Sequence, residues 1–193
     1  MLRKIITVIV VTVILGCGNV SQASDITIDE AYRSIPHGRT QFDQSRATMS
    51  EEEKKYIDHL FFATDLAMRE RVVMLRYFEE KKSASYIEQY NKEIGNILAS
   101  FDLVRAPTKT LLQVEKLVLE SVREQQAFFN KRYKNNDAIP KRAMYSTYKH
   151  YTLVQSSHKK LIQAYMLLKK TYPREQRHNQ KAFFDHLCAL DFI

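Results

Sequence analysis

The sequence predicts an all-α protein: an antiparallel four-helix bundle with a fifth C-terminal helix and an irregular N-terminal segment. Three observations carry this. The 193-residue chain holds only 4 Gly and 4 Pro, too few turn-formers for many short elements, which favours long helices with few connections. Apolar residues recur at spacings of three and four through four successive stretches, the period of one helix face. Capping or helix-starting residues stand at the heads of these stretches. The composition is 45% hydrophobic and 27% charged, that of an ordinary globular domain. About 170 residues remain once the first twenty or so are set aside, enough for one domain with its own core.

Residues 1–16 read as a signal segment. Arg3 and Lys4 form a basic head, and Ile5 to Leu15 is an apolar run broken only by Thr7 and Thr12. Such a run is too short to cross a hydrocarbon layer of roughly 30 Å as a helix, and has the length of a signal core. Two cuts are open. Ser21-Gln22-Ala23 puts small residues at −3 and −1 of an ordinary signal-peptidase cut before Ser24. Ile14-Leu15-Gly16-Cys17 resembles the lipobox of bacterial lipoproteins. That resemblance covers the first seventeen residues and implies an address, not an activity. Cys17 would become the first mature residue and carry the acyl chains, such as palmitate, and the protein would be anchored in the cell-envelope membrane facing the periplasm. Gly18 rather than Asp follows the cysteine, which resembles the outer-membrane pattern of Gram-negative lipoproteins. The other cut leaves a soluble periplasmic or secreted protein.

Residues 17–49 lack helical periodicity and read as an anchor linker followed by an irregular segment, with apolar points at Ile26, Ile28, Tyr32, Ile35 and Phe42. Residues 50–193 form the helical domain. The first helix opens at Ser50, which makes a capping box with Glu53, and runs to about Lys81 on a seam of Ile57, Phe61, Thr64, Met68, Val72, Leu75 and Phe78. The second opens near Ser83 or Ser85 with Ile87, Tyr90, Ile94, Ile97 and Phe101 as its seam. The third spans about Thr108 to Tyr133. Its seam is Leu111, Val114, Val118, Val122, Gln125 and Phe129, with Leu112, Leu117 and Leu119 widening the apolar face, and Asn135-Asn136-Asp137 ends it.

The fourth helix starts with Pro140 in its first turn, where a missing N–H costs nothing. Its seam is Met144, Thr147, Tyr151, Val154, His158, Leu161, Tyr165 and Leu168, and Tyr172-Pro173 stops it. The fifth spans about Arg174 to Leu190, with Phe183, Phe184, Leu187 and Leu190 as its apolar side.

The formal net charge of +8 is unevenly placed. Between Lys131 and Lys181 thirteen basic residues face only Asp137 and Glu175. A basic half favours anionic partners, and export from the cytoplasm points away from nucleic acid and toward the membrane, an envelope protein or an anionic envelope polymer.

The densest chemistry outside the helices is the stretch from Tyr32 to Asp43. Arg39 there could fork onto a carboxylate or phosphate, and His37 could titrate beside it. The competing reading is an ordered lid, in which Ile35 and Phe42 plug the bundle while Arg39 and Asp43 pair locally. His158 stands on the fourth seam, where bundles build haem and metal sites, yet the chain lacks the two Glu-x-x-His motifs that a di-metal bundle needs, and two cysteines, Cys17 and Cys188, exclude C-x-x-C-H haem attachment. No cofactor or metal is therefore expected. Cys188 reads as a small buried residue. Neither Asp58-His59 nor Asp185-His186 is expected to act as a dyad, since neighbours on a helix diverge by about 100°.

No phosphate loop, G-x-S-x-G elbow or H-E-x-x-H motif occurs, so no catalytic residue is assigned. The leading expectation is a non-enzymatic lipid-anchored envelope protein that binds a partner protein or an anionic envelope component. The alternative is a periplasmic ligand- or cofactor-binding bundle using His37, Arg39 and His158.

Overall fold

The computed structural model describes residues 39–80, 85–137 and 148–188. Among these lie five α-helices: α1 (Glu51–Glu80), α2 (Ser85–Ser100), α3 (Lys109–Lys134), α4 (Thr152–Thr171) and α5 (Arg177–Leu187). One 3₁₀ turn, Gln44–Arg46, precedes α1 and another, Phe101–Leu103, follows α2, and no strand occurs among the described residues. The protein is all-α. No helix among the described residues is long and apolar enough to cross a membrane.

Local chemistry sets the helix ends. Ser50 and Glu53 make the reciprocal capping box: Ser50 N donates to Glu53 Oε2 at 2.9 Å, and Glu53 N donates to Ser50 Oγ at 3.3 Å. Thr108 caps α3 by accepting from Leu111 N. α3 ends in a Schellman motif. Asn136 adopts a left-handed φ of 52°, Asn136 N donates to Tyr133 O, and Asp137 N to Arg132 O. Asparagine accepts that conformation more readily than most residues.

Packing joins α3 and α4 most extensively, α1 lies against α2, α3 and α5, and α5 bridges α4 and α1. The expected seams of α2 and α3 are buried throughout, Ile87, Tyr90, Ile94 and Ile97 on one and Leu111 through Phe129 on the other. Between them Asn91 and Asn130 exchange side-chain amide bonds at 2.8 Å each way. Tyr56 of α1 donates its hydroxyl to Glu115 of α3.

The seam of α4 is corrected. Its buried positions are Val154, Ser157, Leu161, Ala164 and Leu168, so Ser157 and Ala164 take the centre where His158 and Tyr165 were expected. Small residues let two helix axes approach closely, and the approach is fixed by polar groups: Ser121 and Ser157 Oγ atoms are 2.8 Å apart, and Gln125 Nε2 donates to Ser157 Oγ at 2.8 Å. His158 and Tyr165 fall one residue off the centre and are half-buried.

Other expectations shift as well. Pro140, Met144 and Thr147 lie outside the described residues. The described helix begins at Thr152, after a turn in which Tyr151 N donates to Tyr148 O at 2.9 Å. That turn lets the rings of both Tyr148 and Tyr151 reach Phe128. α5 starts at Arg177 rather than Arg174, because a turn closes from Glu175 N to Tyr172 O and Glu175 is buried. Leu112 is 40% exposed and Phe184 45% exposed, so neither belongs to the core face. Phe184 instead stands edge-on to Tyr165 at 5.6 Å. Cys188 is buried, and burial pushes its thiol up to about 12. Leu190 lies outside the described residues.

Candidate functional site

The segment 39–49 is a strap across α1 and α5. Irregular backbone inside a protein must find partners for its N–H and C=O groups, and α5 with its preceding turn supplies them. Thr40 N donates to Asp185 Oδ2 at 2.8 Å, and Thr40 O accepts from His186 Nε2 at 3.1 Å. Gln41 O lies 2.9 Å from His178 Nε2. Asp43 N donates to Asn179 Oδ1 at 2.9 Å, and Asn179 Nδ2 returns a bond to Asp43 O at 3.1 Å. Thr48 gives both its amide and its hydroxyl to Glu175 Oε1, each at 2.6 Å. Between these bonds Phe42 inserts its ring against Phe61 and Phe183. The buried side of α5 thus carries Asn179, Asp185 and His186 among its apolar residues, each holding strap backbone.

Arg39 closes the upper end. Its side chain is 7% exposed and pairs with Asp65 on α1, with Met68 Sδ 3.3 Å from a second guanidinium nitrogen. Burial lowers the pKa of Arg39, while Asp65 and Asp185 oppose that shift. The expected local pairing of Arg39 with Asp43 is not what forms. Asp43 instead accepts from Ser45 and pairs with Arg46 at 2.9 Å, because a short carboxylate at the head of a 3₁₀ turn finds its own turn amides first.

Asp65 also receives His186 Nδ1 at 2.9 Å. Both ring nitrogens of His186 therefore face oxygen acceptors, the Asp65 carboxylate and the Thr40 carbonyl. The ring lies flat on Phe61, with centroids 4.6 Å apart and planes 6° from parallel, a stack that fixes the imidazole plane between its two oxygen neighbours. Asp185 and His186 thus act together without touching, gripping the two polar groups of one residue.

A cleft of about 350 Å³ opens beside the strap, lined by Gln41, Lys55, Asp58, His59, Asp65 and His186 together with Phe42, Phe61 and Phe62. Of the sequence-derived candidates, Arg39 belongs to the cluster edging this cleft. His158 does not line it. His37 and Cys17 lie outside the described residues. Among the described residues no group of three or more His, Cys, Asp or Glu is placed to hold a metal ion.

Comparison with protein families, curated proteins and solved structures finds no match for this chain. What the site can do rests on its own chemistry.

Sequence reasoning missed Asp65, Asp185 and His186. A signal was present: Asp65 stands between Phe61 and Met68 at spacings of four and three, a carboxylate on an apolar face. Arg71, fully buried on the same helix, was missed likewise; burial brings its pKa down to about 9.

The strap should respond to acid. Burial works against the charge on Asp185, but hydrogen bonds from Lys181 and from Thr40 outweigh it, so its pKa is lowered. A carboxylate with a lowered folded pKa stabilises fully above its unfolded value, about 3.9, and loses that contribution as pH falls through the folded value. Limited proteolysis within 39–49 should therefore stay slow from pH 7 to about 5 and accelerate only below about 4. Acceleration already between pH 7 and 5 would show that Asp185 does not hold the strap.

A second surface differs in kind. Between α3 and α4 runs an open furrow of about 680 Å³, walled by Leu117, Ile162, Met166 and Leu167 and edged by Gln163, Lys169 and Lys170. Met166 is 55% and Ile162 39% exposed. α4 reads TLVQSSHKKLIQAYMLLKKT, with four lysines and no carboxylate. Lys160 is occupied by Glu124 at 2.6 Å, and Lys169 lies over the Tyr165 ring at 5.8 Å.

Proposed function

We propose that this protein is a non-enzymatic, lipid-anchored component of the bacterial cell envelope that binds an anionic partner. In this reading α1 to α4 form an antiparallel four-helix bundle, α5 lies across it, and the strap leads back toward an acylated Cys17. The observation that carries the binding role is α4, whose outer face offers apolar and cationic side chains with no acid among them. The strap fits the same reading, since Arg39, the residue best suited to hold an anionic ligand, is already committed to Asp65. A guanidinium so paired and buried serves the fold.

The anchor is tested directly. Cys17→Ser should shift the protein out of the membrane fraction or stall its processing, and the wild-type chain should carry acyl mass on a mature N-terminus at Cys17. An intact mass beginning at Ser24 without lipid would replace the anchor with a soluble exported protein.

The cleft beside the strap favours a second reading, capture of a small polar ligand. Its signature would be binding that depends on Lys55 and His59 and is indifferent to charge reversal on α4.

A further inference from the structure

We infer that the furrow between α3 and α4 is a binding site for a membrane anionic phospholipid, one acyl chain lying along Leu117, Ile162, Met166 and Leu167 and the headgroup meeting Lys169 and Lys170. This rests on the envelope reading above and gives it a ligand.

Three features select this occupant. First, the furrow is polarised. Ile162 and Met166 lie one turn apart on one face of α4, and the lysine pair follows at the helix C-terminal end, where cations also complement the helix dipole. An apolar trough ending in two positive charges matches an amphiphile with an anionic head. Second, the lining contains no carboxylate, so an anionic head meets no opposing charge there, while a cationic or acid-recognising ligand has nothing to pair with.

Third, the size is that of a small-ligand site. A volume of about 680 Å³ falls within the range of roughly 300–1,000 Å³ for ligand pockets. Seven lining residues are far fewer than the roughly 20–30 per side of a stable protein interface.

The test uses the full, acylated chain reconstituted in phosphatidylcholine vesicles containing a minor fraction of phosphatidylglycerol with a diazirine on one acyl chain. After photolysis, label is expected in the peptides carrying Leu117 and Ile162 to Leu167. Met166→Glu should abolish that label, and Lys169→Glu with Lys170→Glu should cut it roughly tenfold. Circular dichroism should show both variants folded, since the altered side chains are exposed. A diazirine phosphatidylcholine in the same vesicles should label the furrow weakly and without regard to the lysines.

Equal labelling by both lipids, insensitive to the charge reversal, would overturn the proposal, as would label confined to other surfaces. Disulfide dimers of a Met166→Cys chain forming in the vesicles in place of lipid label would assign the furrow to a second copy and equally overturn it. Failure of the anchor is distinguishable. If the chain proves unacylated, the same vesicles presented to the soluble protein still report on the furrow.

Discussion

Asp65→Ala should lower the melting temperature by roughly 6–12 °C, from a loss of about 3 kcal/mol at the 2–4 °C per kcal/mol expected of a domain this size. The carboxylate holds two donors at once, Arg39 and His186. Removing it leaves a guanidinium that is 7% exposed without its counter-charge and leaves His186 Nδ1 facing a methyl group. Breaking one side of a buried ion pair costs about 3–5 kcal/mol. The lower end is expected here because the strap can lift and let water reach Arg39, which caps the penalty. Asp65→Asn should fall between wild type and Asp65→Ala, since the amide oxygen can accept one bond but supplies no charge. Thermal unfolding by circular dichroism measures both. A shift under about 2 °C for Asp65→Ala would mean that the cluster contributes little and that Arg39 is free to serve a ligand.

The second large effect is expected in α4. Leu161 is 3% exposed and lies midway along the α3–α4 contact. Leu161→Asp forfeits about 1.5–3 kcal/mol of apolar burial and adds several kcal/mol for an unpaired carboxylate in the interior. Against a total stability of about 5–15 kcal/mol, the variant should be unfolded or close to it at 25 °C. Gln163→Asp, two residues on and exposed, should change stability by no more than about 0.5 kcal/mol. Near-native helicity and melting in Leu161→Asp would show that α3 and α4 do not pair through this face.

The helices were legible because their signals are redundant. In α3 the apolar period, the Thr108 cap and the terminating Asn135-Asn136 all agree, in α2 the apolar period alone marks the buried face, and a local reading then suffices. The α4 seam was misread for a specific reason. Ser157 and Ala164 carry little hydrophobic signal, so the larger His158 and Tyr165 attracted the seam by one residue. Only the closeness of α3 makes small side chains the right filling, and that is a tertiary property.

The strap was half legible. Phe42 as a plug follows from one aromatic residue in a polar segment. The partners of Arg39 did not follow, because Asp65 and Met68 are 26 and 29 positions away in sequence, and no local rule pairs them. Asp185 and His186 were dismissed as a dyad by a correct geometric argument applied to the wrong question, since their target is the Thr40 peptide and not each other.

The most direct measurement of the strap as a fixed part of the fold is amide hydrogen exchange of the full chain, residue by residue across 39–49. Thr40 N, Asp43 N and Thr48 N each donate to a side chain of α5 or its preceding turn. They should be protected to nearly the same degree as the amides of α5 itself, and should lose protection together in Asp65→Ala. Exchange of these three amides at free-chain rates, with α5 still protected, would contradict the structural role assigned to Arg39, Asp65 and His186 and return the segment to the list of ligand sites.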